Sequence, residues 1–135
     1  PANLTAHGFL SWSEYAPILA RADIAIGSLA LHRIGMNESS PLKTREYLAM
    51  GLPTVIGYRD TDFPDGAPFL LQIPNTEDNI EKSVERIRSF MHEWKGRRVP
   101  REALAHLDTR VKERRRLEFL AKVCGGEGER ERLIR

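Results

Sequence analysis

The chain has 135 residues, 41% hydrophobic and 30% charged, with a formal net charge of +2. That is an ordinary globular composition, long enough for one domain with a real core, and it excludes a low-complexity or disordered chain. No apolar run approaches the roughly 20 residues of a membrane-spanning helix, no signal-peptide pattern is present, and the lone Cys124 excludes an internal disulfide.

In chain order, Leu4–His7 reads as a short strand turning at Gly8. Ser11 with Glu14 three residues on forms a capping box for a helix ending near Arg21. An apolar run, Ala22–Gly27, reads as the next strand. A long connection over about residues 29–40 follows, with Gly35 to turn it; its length suits a functional loop. Ser40 as cap and Pro41 at the first helical position start a helix over 41–50. Gly51 suits the left-handed residue that closes it, and Pro53 cannot continue it. Leu52–Gly57 and Phe69–Ile73 read as further strands, separated by a surface loop rich in Asp, Pro and Gly. Asn75 or Thr76 begins a helix whose spacing predicts Ile80, Val84, Ile87, Met91 and Trp94 as its buried stripe. Lys95–Pro100 is a linker. A second helix is expected over about 101–123, with Leu104, Leu107 and Val111 on one side, and Gly125 onward reads as a polar, flexible tail. Short apolar runs alternating with helices predict an α/β domain over 1–124 with a parallel sheet flanked by helices.

The chemistry concentrates around the helix over 41–50. Glu38 precedes it, Glu46 lies inside it, and seven residues separate them. A helix start displays free N–H groups and a positive dipole end, which suits phosphate. Two carboxylates beside such an end suit a ligand carrying both phosphates and hydroxyls, as a nucleotide sugar does.

Glu38, Glu46 and the continuation Tyr47-Leu-Ala-Met-Gly-Leu-Pro-Thr-Val55 resemble the Glu-x7-Glu motif of retaining GT-B glycosyltransferases. The order upstream, Leu4–Leu10, a short helix and then Ala22–Leu29, is similar as well. The resemblance covers residues 3 to about 60 closely and extends loosely to 123. It implies a partial Rossmann-like fold, the later part of a C-terminal donor-binding domain, with C-terminal helices. It also implies transfer of a hexose from a nucleotide diphosphate sugar to a hydroxyl acceptor with retention, and no cofactor beyond that donor. Glu46 would accept the ribose hydroxyls. Glu38 would act at the sugar, bonding its hydroxyls and steering the anomeric carbon. Ser39, Ser40 and Leu42 would offer backbone N–H groups to the diphosphate, with Lys43 as a further phosphate contact. Ser39-Ser40 stand where Phe-Gly often follows the first Glu. The basic phosphate-binding pair and the acceptor domain of such enzymes precede the region matched, so the chain reads as a piece of a longer protein whose N-terminal domain is its partner, and as inactive alone.

Other readings attach to the same residues. Glu46 alone reads as a helix-surface acid pairing with Lys43, and Ser40 as a cap only. His7, at a strand end facing the cleft, reads as a structural histidine. Arg59, Asp60 and Asp62 rim the site or are loop charges. His32, His92 and His106 have no paired spacing with acids or cysteines, so no metal is expected. Charge is uneven: residues 1–94 carry 8 basic and 12 acidic side chains, residues 95–135 carry 13 and 7. The basic run Arg110–Arg116 offers a contact to an anionic membrane surface, with nucleic acid less favoured, or is a solvated helix face. The remaining alternatives are a non-catalytic nucleotide-binding or interaction module and a basic, membrane- or nucleic-acid-associating domain. The expected location is cytoplasmic, with membrane association where the basic end meets lipid.

Overall fold

At the start of α1 (Trp12–Arg21), the Glu14 carboxylate accepts the Ser11 backbone N–H at 2.8 Å and the Ser11 hydroxyl at 2.6 Å. The Ser-x-x-Glu spacing sets this boundary, because the acid folds back over the first turn. The computed structural model describes residues 2–124, and the chain clusters into two units, Pro1–Val99 and Pro100–Arg135.

The first unit is mixed α/β, with a small parallel sheet flanked by helices. Its strands β1 (Ala25–Ile26), β3 (Thr54–Ile56) and β5 (Leu70–Gln72) lie in the order β1-β3-β5, all parallel. Ala25 is opposite Thr54, and Thr54 is opposite Leu70. Central β3 is buried throughout, as a strand covered on both faces must be. Its ladder starts late because Pro53 has no N–H and the Leu52 N–H is used elsewhere. The expected strand at Leu4–His7 does not form: these residues are exposed and pair with no other strand. An unpaired strand would leave its backbone groups without partners.

A second, two-stranded parallel sheet joins β2 (Glu38–Ser39) to β4 (Arg59–Asp60), with Glu38 opposite Arg59 and Ser39 opposite Asp60. Both segments read as loop in the sequence. Neither has an apolar alternation, and their pairing is fixed by polar side chains across the ladder.

Helix α2 (Leu42–Ala49) connects β2 to β3. At its end Gly51 has φ +75°, the Gly51 N–H bonds the Leu48 carbonyl at 2.8 Å, and the Leu52 N–H bonds the Tyr47 carbonyl at 2.8 Å. This paired closure satisfies two orphan carbonyls and turns the chain straight into β3. Just past β3, a Cβ on Gly57 would lie 2.9 Å from the Leu29 Cα. Only glycine allows that approach of backbone to backbone. Leu48, Leu52, Val55, Ile56, Tyr58 and Ile73 form the centre of the core.

Helix α3 (Asn79–Trp94) begins later than the sequence reads, because the Asn75 side chain is engaged with the 29–40 connection and the Thr76 hydroxyl bonds Asp78 at 2.8 Å. Its buried face is also rotated. Asn79, Ser83, Phe90 and Trp94 are buried, whereas Ile80, Val84 and Met91 are exposed. Three expected positions thus sit one residue, or about 100° of helix, from the true face. The rotation has a polar cause: Asn79 donates to the Leu29 carbonyl at 2.7 Å, and the Trp94 indole donates to the Pro68 carbonyl at 3.2 Å.

In the second unit, a 3-10 helix (Arg101–Leu107) is followed by α4 (Thr109–Cys124), where one continuous helix was expected. Asp108, with ψ 133°, breaks it, and its carboxylate accepts the Arg110 N–H at 2.8 Å as a cap for α4. Among the described residues, no helix is long and apolar enough to cross a membrane. The expected tail from Gly125 lies outside the described residues.

Candidate functional site

The start of α2 is built differently from its sequence signature. Pro41, not Ser40, takes the cap position, with φ −70° and ψ 140°, and no side chain caps the helix. Ser40 instead donates its hydroxyl to Asp62 at 2.7 Å and accepts a bond from Arg45 at 3.0 Å. The first helical bond runs from the Arg45 N–H to the Pro41 carbonyl at 3.3 Å. The N–H groups of Leu42, Lys43 and Thr44 therefore have no acceptor within the helix. Leu42 and Lys43 are exposed, so two of those groups belong to residues at the surface, at the positive end of the dipole.

The two acids flank this helix end in different settings. Glu38 lies in β2 and pairs with the Arg59 guanidinium at 2.6 Å, both side chains being about half exposed. Glu46 lies in the second turn of α2, half-buried, and accepts the Tyr15 hydroxyl from α1 at 3.2 Å. Burial first, and then the neighbouring Glu46, raise the Tyr15 hydroxyl above the usual tyrosine value, so Tyr15 remains a donor. Lys43 makes no ion pair with Glu46 or with any other described residue. Ser39 is engaged in the β2–β4 ladder, its carbonyl accepting the Thr61 N–H at 3.2 Å. It is a strand residue, not part of a helix start.

Next to Glu46 in α2, Arg45 ties the helix to Ser40 and to the acids that follow β3. It pairs with Asp60 and, at 2.9 Å, with Asp62, and its guanidinium lies 5.6 Å from the centre of the Phe63 ring. Asp60 also accepts the Asp62 N–H at 3.0 Å. Behind this group the Thr44 and Tyr58 hydroxyls share a buried 2.7 Å bond, and burial pushes the Tyr58 hydroxyl up. Arg59, Asp60 and Asp62, expected at most as a rim, thus close directly onto Glu38, Ser40 and Arg45.

The 29–40 connection is fastened along its length. A 3-10 turn (Leu31–Ile34) ends at Gly35, with φ +67°. The Asn75 side chain accepts the His32 N–H at 3.0 Å and donates to the Met36 carbonyl at 2.8 Å. Glu77 takes the Arg33 guanidinium and, at 2.8 Å, His32 Nε2. The bond from Arg33, followed by that from His32, holds the Glu77 carboxyl down at about 2. The loop that delivers Glu38 is therefore a braced arm.

His7 is elsewhere: it is exposed and lines a shallow hollow of about 390 Å³ with Ile18, Arg21 and Ala22. Tyr15 and Arg45 were not singled out in the sequence, and Asn75 was read only as a candidate helix start. Arg45 carried one available signal, a basic residue in the motif helix followed by Asp60 and Asp62 after the next strand. Among the described residues, no group of three or more His, Cys, Asp and Glu side chains stands together as a metal site. Comparison with known protein families, with characterised proteins and with solved structures gives no match.

Proposed function

We propose that this chain is the donor-binding part of a retaining GT-B glycosyltransferase, in a partial Rossmann-like domain. Its donor is a nucleotide diphosphate sugar, from which a hexose passes to a hydroxyl acceptor. One observation carries the reading: two carboxylates, Glu38 and Glu46, flank the N-terminus of a helix whose leading N–H groups lack helical partners. A small parallel sheet supports it, since ligands of such sheets gather beyond the carboxyl ends of the strands.

In this reading Glu46 receives the ribose hydroxyls, because one carboxylate accepts two donors at once. The Leu42 and Lys43 N–H groups, with the Lys43 ammonium and the segment Ser39–Ser40, face the diphosphate. Glu38 bonds the sugar hydroxyls. Catalysis then rests on positioning and on stabilising the departing diphosphate as charge builds on it. The acceptor site belongs to the N-terminal partner domain.

Ligand-observed NMR of the full protein with UDP-, GDP- and ADP-sugars tests this. Saturation transfer to the ribose of one donor, lost in Glu46→Ala, is the expected result. A folded protein that gives no transfer to any of the three overturns it.

A further inference from the structure

Trp12 and Tyr15 lie one turn apart on α1, where side chains three residues apart are neighbours. Their rings pack edge to face, with centroids 5.0 Å apart and planes at 84°. Tyr15 is committed at its other end, its hydroxyl donating to Glu46. Trp12 is 55% exposed, although indole is among the side chains that gain most from burial. An apolar aromatic surface therefore stands one ring contact and one hydrogen bond from the carboxylate assigned to a ribose. A nucleoside presents the matching pair of features, hydroxyls on the sugar and a flat π-face a few ångströms away.

We propose that Trp12 is the platform on which the nucleotide base stacks, with Tyr15 as the positioning residue that sets both the Trp12 ring and the Glu46 carboxylate. The inference rests on the donor-site reading above and extends it to α1. Stacking is tolerant of base identity, because every base offers a π-face. Trp12 thus supplies affinity, and discrimination between bases comes from other groups.

The test is calorimetric titration of the full protein with UDP, GDP and ADP, in the wild type, Trp12→Phe, Trp12→Ala and Glu46→Gln, with one-dimensional NMR of the base protons. Trp12→Ala is expected to weaken binding by about 5- to 150-fold, the range that base–aromatic stacking spans. Trp12→Phe should recover most of the loss. The base protons should move upfield on binding, through the ring current of the indole, and that shift should vanish in Trp12→Ala while saturation of the ribose persists at higher ligand concentration. Binding that depends on Glu46 but is unchanged in Trp12→Ala, with no upfield shift, overturns the stacking role and leaves the donor-site reading standing. Absence of nucleotide binding by the folded wild type overturns both.

Discussion

Replacing Arg45 by alanine tests whether a buried ion pair holds the motif helix to the strand behind it. The Asp60 side chain is 1% exposed and that of Arg45 is 15% exposed. Removing the guanidinium strands a carboxylate out of water, and breaking a buried pair in this way costs about 3–5 kcal/mol. The geometry argues for the lower end, about 3 kcal/mol. Arg45 Nε and Nη1 and Asp60 Oδ2 are buried without partners, so the native pair is itself imperfectly satisfied. The internal comparison is Arg59→Ala, which removes the Glu38 pair, 54% and 52% exposed. An exposed pair of that kind contributes about 0.2–1 kcal/mol. Urea unfolding followed by far-ultraviolet circular dichroism reads both losses. The double variant Arg45→Ala/Asp60→Asn should be more stable than the sum of its single losses implies, because the stranded charge is gone. An Arg45→Ala loss no larger than that of Arg59→Ala, or strict additivity with Asp60→Asn, refutes the reasoning.

Two further outcomes use the same unfolding assay. Phe90→Ala in α3 should cost about 3–5 kcal/mol through the cavity it opens, whereas Met91→Ala should stay within about 0.5 kcal/mol; equal losses would mean that the buried face lies elsewhere. For Glu77, the folded carboxyl lies at about 2 against an ordinary 4.5, so the carboxylate favours the folded state. That contribution is fully present above pH 4.5 and fades as pH falls towards 2; the stability gap between wild type and Glu77→Gln should close over that window, and an NMR titration midpoint near 4.5 would refute the clamp.

How much of this was legible in the sequence depends on the kind of signal. Local backbone chemistry was readable: Ser11 with Glu14 started α1, and Gly51 before Pro53 ended α2, because each is decided by a few adjacent residues. The three apolar strands were readable as runs and came out shorter. A periodicity cannot tell Leu52, which closes a helix, from Thr54, which opens a ladder. The buried face of α3 was misread because two of the residues on it, Asn79 and Ser83, are polar. The pairing of β2 with β4, the Arg45 cluster and the Tyr15 contact lay beyond reach for a common reason. Each joins polar residues 15 to 31 positions apart, and nothing local to either partner announces the other.

The site divides its interactions by exposure, and that division bears on how a ligand would enter. Arg45, Asp60, Thr44 and Tyr58 are the buried frame, costly to disturb. The carboxylates assigned to the ligand have fewer partners: Glu38 is held by a half-exposed Arg59, and Glu46 by one 3.2 Å bond from Tyr15. Giving up an exposed pair loses about 0.2–1 kcal/mol, whereas a hydrogen bond to a charged group returns about 1.5–3 kcal/mol. On the proposed reading, sugar hydroxyls arriving at Glu38 would exchange favourably with Arg59, whereas ribose hydroxyls would join Tyr15 at Glu46, whose carboxylate accepts more than one donor. A ligand with phosphates alone would gain nothing from the two carboxylates and would be repelled by them. On the proposed reading, the start of α2 would therefore favour, among anions, those that also carry hydroxyl donors on either side.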